Sequence, residues 1–136
     1  MSILGKYIKK LRDSGLRPTK QRVKICEVLF ERDKTFHFTI NDLTKKIHAQ
    51  TDKKISLATV YNTVHAFEKK GYLKQIPINS SQTYFDTNIS DHHHFYDMQA
   101  EKLIDLENKD IGPINIQKSI PGKKIKSVEV LIKLED

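Results

Sequence analysis

The run "DHHHFYDM" at residues 91 to 98 gathers three of the six histidines of the chain between two aspartates. On a β-strand successive side chains alternate, so His92 and His94 share one face and His93 takes the other. His-x-His on a strand is a two-tooth chelate. The next β-prone run, "EKLIDLE", follows after "QA", and a tight hairpin turning at Gln99 and Ala100 sets Asp105 opposite His94. Asp86, ending the earlier run "QTYFD", offers another oxygen. Imidazoles with hard carboxylate oxygens and no thiolate suit Mn, Fe(II) or Zn, not Cu(I). The plainer alternative is a set of structural histidines.

Other chemistries find less support. A metal-dependent hydrolase needs an open coordination position and a general base, and no separate acid–base pair or glycine loop accompanies these histidines, so no enzyme is expected. The single cysteine, Cys26, lies among Val23, Ile25, Val28 and Leu29, the setting of a buried structural thiol. No apolar run reaches the ~18 residues of a membrane span, and the first ten residues lack the apolar core of a secretory signal, so a cytoplasmic protein is expected.

The elements that position the cluster divide into two parts, residues 1–87 and 88–136. In the first, "ILGKYIKKLRDSG" has the amphipathic spacing of a short helix stopped by Gly15. Pro18 suits the first turn of a second helix, "PTKQRVKICEVLFER". Thr39 with Asp42 three residues on is a capping-box start for "TINDLTKKIHAQ". Ser56 opens "SLATVYNTVHAFEKKG", with Leu57, Val60, Val64 and Phe67 as its buried stripe, Gly71 as its end and Thr59, Tyr61, Asn62, Thr63 and His65 on a nearly uncharged polar face. "YLKQIPI" and "QTYFD" around "NSS" read as a hairpin.

Helices followed by a hairpin predict a winged helix-turn-helix, and charge agrees: residues 1 to 75 hold 17 of the 24 Lys and Arg against 7 of the 17 Asp and Glu. Lys10, Arg17, Lys20, Arg22 and Lys69 are the expected phosphate contacts, which makes binding salt-sensitive. Thr59 and Tyr61 would touch thymine methyls and Asn62 would hydrogen-bond a base edge, with Thr19, Ser56 and Ala58 on the same surface. The second part holds 7 basic and 10 acidic residues from position 76 onward. Its three short β-prone runs, the last "VEVLIKL", leave apolar edge uncovered, so a homodimer is expected. The fold class is thus α+β: an N-terminal winged-helix DNA-binding domain and a small C-terminal domain of antiparallel strands for dimerisation and sensing.

"GLRPTKQR", "HFTINDL", "SLATVYNTVHAFEKKGYL" and "TYFDTNISDHHH", in that order and spacing over nearly the whole chain, resemble the ferric uptake regulator (Fur) family. Within it, "GLRPTKQRV", "SLATVYNT", "TYFDTN" and the bare "HHH" followed by aromatics are most similar to the iron response regulator (Irr) branch. The resemblance implies a transcriptional regulator of iron and haem metabolism genes acting on an A/T-rich palindromic operator. It implies a regulatory metal site of His37, Asp86, His92, His94 and Asp105, of which His37 comes from the resemblance alone. It admits haem on His92, His93 or His94, and as an alternative a peroxide-sensing repressor of the same family. The chain departs from the family at the paired cysteines that commonly hold a structural zinc: Asp97 and Ala100 stand where the first pair belongs, so no four-cysteine zinc is expected. Asn62 follows the tyrosine of the recognition helix where an arginine is frequent, and no Cys-Pro haem motif is present.

Overall fold

The protein is described from a computed structural model covering residues 2–51 and 54–136. It separates into two compact units, the first ending at Ile89 and the second formed by Ser90–Asp136.

Four helices build the first unit: α1 (Ile3–Asp13), α2 (Lys20–Phe30), α3 (Ile40–Gln50) and α4 (Leu57–Lys70). Each starts at a hydroxyl residue whose side-chain oxygen accepts a backbone N–H that the first turn leaves unpaired: Ser2, Thr19, Thr39 and Ser56. Thr39 and Asp42 complete a reciprocal capping box. Thr19 rather than Pro18 marks the start of α2, because Thr19 supplies the capping oxygen that proline lacks. Gly71 ends α4 at φ +94°, a left-handed conformation that glycine adopts without steric cost.

The helices close over a core that includes Leu11, Ile25, Leu29, Leu43, Ile47, Val60, Val64 and Phe67. Two expectations for α4 change here. Leu57, in the first turn, is 52% exposed, whereas Thr63 is fully buried. The Thr63 hydroxyl donates to the Thr59 carbonyl one turn back at 2.8 Å, which removes the cost of burying it.

Beside the helices, β1 (His37–Phe38), β2 (Lys74–Asn79) and β3 (Gln82–Asp86) form an antiparallel sheet in the order β1-β3-β2. Pro77 sits on β2, an edge strand, where a missing N–H costs no ladder bond. The β2–β3 turn is held by the Asn79 side-chain carbonyl, which accepts from the backbone N–H and the hydroxyl of Ser81 at 2.9 Å each. The β1–β3 register pairs Phe38 with Phe85 and His37 with Asp86.

The second unit contains β4 (His93–Asp97), β5 (Lys102–Leu106), a 3-10 turn (Asn108–Asp110) and β6 (Leu131–Leu134), with sheet order β5-β4-β6. The β4–β5 pair is antiparallel, but β6 runs parallel to β4, so the sheet is mixed and the expectation of antiparallel strands alone is corrected. A parallel neighbour needs a long crossover, and residues 111–130 supply it without helix or strand. The hairpin turn is also longer than "QA": Asp97 pairs with Lys102, leaving four residues between them, and Glu101 takes φ +52°. Asp97 Oδ1 accepts from the backbone N–H groups of Gln99 and Ala100, giving the turn the side-chain brace that a two-residue loop would not need.

Candidate metal centre and nucleic-acid interface

Strand alternation and hairpin register combine in the second unit to converge three donors. His94 is paired with Asp105 across the β4–β5 ladder. The added turn residues lie symmetrically about Gln99 and Ala100, so the longer loop keeps the register that the shorter one would have set. His94 Nε2 lies 3.3 Å from Asp105 Oδ1, and His92 Nε2 lies 3.6 Å from the same oxygen. The two imidazole rings are 4.4 Å apart between centroids. Both histidines are buried, whereas the Asp105 side chain is 50% exposed and opens the cluster to solvent on one side.

His92 stands just before β4, and its orientation is set locally: Nδ1 donates to the Ser90 carbonyl at 2.8 Å. That bond fixes the neutral ring in the tautomer whose Nε2 carries the lone pair, the hydrogen-bonding device by which proteins orient histidine ligands. His93, on the opposite face, accepts at Nδ1 from the Val130 backbone N–H at 2.9 Å, next to the His94 N–H to Val130 carbonyl bond at 3.0 Å. His93 therefore ties β6 to β4. Two imidazole nitrogens and one carboxylate oxygen, all within 4.8 Å of one another, form an N/N/O donor set that a divalent transition metal would accept.

In the first unit, the other two expected ligands are cross-strand partners. His37 faces Asp86 on the β1–β3 ladder and packs edge-on against Tyr84 with ring centroids 6.0 Å apart. Asp86 is 1% exposed, and its Oδ1 accepts from the Asn88 backbone N–H at 2.8 Å.

A model of the ferric uptake regulator family matches residues 13–134 of the chain. The chain belongs to the ferric uptake regulator family. Members are metal-responsive transcription regulators that bind DNA as dimers, and they are not enzymes. The Fur protein of Campylobacter upsaliensis is 31% identical over 108 residues, covering 78% of this chain and 68% of that protein. The peroxide operon regulator of Bacillus subtilis is 30% identical over 103 residues, covering 76% and 69%. Among solved structures, the manganese-containing Fur of Pseudomonas aeruginosa superposes with a TM-score of 0.68 at 18% identity, over 96% of this chain and 97% of that one. The Fur of Helicobacter pylori, described with three functional metal-binding sites, gives 0.67 at 20% identity over 99% and 92%. At these identities the superpositions establish a shared Fur fold.

On this Fur-family chain the residues expected at DNA fall into distinct settings. Arg17, Lys20, Lys69, Tyr61, Asn62, Ser56 and Ala58 are exposed. Ser56 and Thr59 also brace the start of α4, with their hydroxyls 2.9 Å apart. Thr19 caps α2, and Arg22 Nη1 donates to the Arg17 carbonyl at 2.9 Å, which ties the two cations into one patch. Lys10 differs: its ammonium sits 4.2 Å from the Phe30 ring centre and 4.4 Å from that of Tyr72, and burial lowers its pKa. Lys10 is half-buried in this contact, which sequence spacing could not reveal because Tyr72 is remote in the chain.

Two further side chains were missed or misplaced by sequence reasoning. His65, read only as part of the nearly uncharged polar face of α4, is half-buried and packs against Tyr61 with the rings tilted by 46° and centroids 4.1 Å apart. His93 carries the Val130 bond across 37 residues, a separation without any local signal. Cys26 is buried as expected, and burial pushes its thiol up to about 12, so it remains protonated at neutral pH. Among the described residues, no helix is long and apolar enough to cross a membrane.

Proposed function

We propose that the chain is a dimeric, metal-responsive DNA-binding regulator of the cytoplasm whose sensing ion is held by His92, His94 and Asp105. The observation that carries this reading is the approach of two oriented imidazole nitrogens to one carboxylate oxygen. His37 and Asp86 complete the set in this proposal, joining the first unit to the ion. An ion sharing ligands from both units would bias the arrangement of the DNA-binding unit, since a ligand shifts a conformational equilibrium by its differential affinity for the two states. The ion would act as a cross-link, with Fe(II), Mn(II) or Zn(II) fitting the N/O donors.

The first unit acts in this reading as a winged helix. α4 enters the major groove with Tyr61, Thr59 and Asn62 toward base edges, the β2–β3 hairpin is the wing, and Arg17, Lys20, Arg22 and Lys69 grip phosphates. Dimerisation falls to the second unit, where Ile104, Ile114, Ile116, Ile120 and Ile125 are all at least 40% exposed. Cys26 is the only cysteine, so a four-cysteine zinc cannot form; in this proposal the chain acts in the manner of the iron response regulator branch, controlling iron and haem genes, a reading supported by the resemblance of "SLATVYNT", "TYFDTN" and the bare "HHH".

The deciding experiment measures affinity for an A/T-rich palindromic duplex with and without Mn(II). A metal-driven change of about tenfold or more, lost in Asp105→Asn, is the expected result; an affinity indifferent to Mn(II) refutes the reading. Haem in a parallel arm tests the branch assignment: haem-driven release of the duplex that disappears on substituting His92, His93 and His94 supports it. The peroxide-responsive reading draws on the Bacillus subtilis relative and on the presence of both Asp86 and Asp105. Added oxygen on His37 or His92 after peroxide treatment of the Fe(II)-loaded protein is its signature.

A further inference from the structure

α4 carries an aromatic relay on its exposed side. Tyr61 is 51% exposed, yet its ring is not loose, because His65, one turn along the helix, packs on it with centroids 4.1 Å apart. His65 in turn meets Phe85 of β3 edge-on at 5.5 Å. Phe85 is only 2% exposed, stacks on Phe38 of β1 at 6.0 Å and belongs to the unit's hydrophobic core. The order runs from fixed core to half-buried imidazole to exposed phenol.

We infer that His65 is a positioning residue for sequence-specific DNA recognition: it holds the Tyr61 ring in one orientation before DNA arrives. This deepens the assignment of α4 as the base-reading helix and rests on it. An exposed tyrosine ordinarily loses rotamer freedom when it docks, and a ring already held against a neighbour loses less. The imidazole suits the task better than an aliphatic side chain, because its ring makes a close, tilted aromatic contact with Tyr61 while its nitrogens tolerate the wet side of the helix. Sequence spacing placed His65 on the polar face but gave no hint of Phe85 behind it.

Specific affinity is measured on a duplex selected from a random pool by the unsubstituted, Mn(II)-loaded protein, and non-specific affinity on a scrambled duplex of the same length and composition. His65→Ala is expected to weaken specific binding roughly three- to tenfold, the scale of one aromatic pair, with non-specific binding unchanged. His65→Phe, which retains an aromatic ring, restores the specific affinity. In a Tyr61→Ala background, His65→Ala adds no further loss. The positioning role is overturned if His65→Ala leaves specific binding intact while Tyr61→Ala reduces it. It is equally overturned if His65→Ala weakens both duplexes alike and His65→Phe does not rescue, which marks a phosphate contact or a general loss of fold. If Tyr61→Ala itself leaves specific affinity unchanged, the base-reading assignment of α4 falls, and the role of His65 falls with it.

Discussion

The two units are stabilised by different means. In the first, α1 to α4 and β1 to β3 enclose a continuous apolar core that includes Phe67, Phe85, Leu11, Ile25 and Ile47, each at 2% exposure or less. In the second, the buried apolar side chains among the described residues are Tyr96, Leu103 and Leu106, and three histidines share the interior with them. A sheet of three short strands with so little apolar cover is marginal in water, whereas a bundle of four helices with a closed core is not. The contrast teaches that the first unit carries a core sufficient to itself, whereas the second does not, which is the difference expected if, as proposed, the first reads DNA and the second depends on a ligand and a partner.

The most severe way to break this contrast is to damage the first core. Phe67→Ala removes a fully buried ring from α4 and is expected to cost about 3–5 kcal/mol, visible as lost amide protection throughout α2, α3 and α4. Survival of that protection would mean that the first unit draws its stability from elsewhere. A smaller effect is expected on the partner-dependent side. Ile116→Asp with Ile120→Asp places charges on side chains 53% and 63% exposed in the isolated chain, so the monomer should fold normally. Sedimentation should then show a dimer dissociation constant raised about tenfold or more, because a charge buried at an interface without a partner is strongly disfavoured. An unchanged dimer would move the interface away from residues 111–130. The gentlest change sharpens the reading-helix assignment: Ser56→Ala removes the α4 cap and should cost about 1 kcal/mol in thermal stability of the first unit. The wild-type melting temperature in that variant would show the cap to be redundant.

Local periodicity and turn chemistry made much of the fold legible. The caps at Thr39 and Ser56, the stop at Gly71 and the pairing of His94 with Asp105 all follow from short-range rules. Long-range packing was not legible. The two-residue strand β1 has no periodicity to read, so His37 entered only through family resemblance, although it faces Asp86 across the ladder. The parallel direction of β6 depends on how residues 111–130 return, and an irregular crossover encodes no direction in its composition. Lys10 illustrates the limit of charge reasoning: its place in a basic stretch gives no sign of its contact with Phe30 and Tyr72.

The central claim is that the second unit is built around a metal, and Co(II) titration followed by visible absorption tests it most directly. Wild-type protein should take up one Co(II) per chain, with d–d bands of an N/O site; His93→Ala should retain them, and Asp105→Asn and His94→Ala should each lower affinity by about 100-fold. Asp105 is half exposed, so its variant reports on the ligand rather than on folding. Equal Co(II) binding by all four proteins would contradict the claim and leave His92 and His94 as structural histidines of a small sheet.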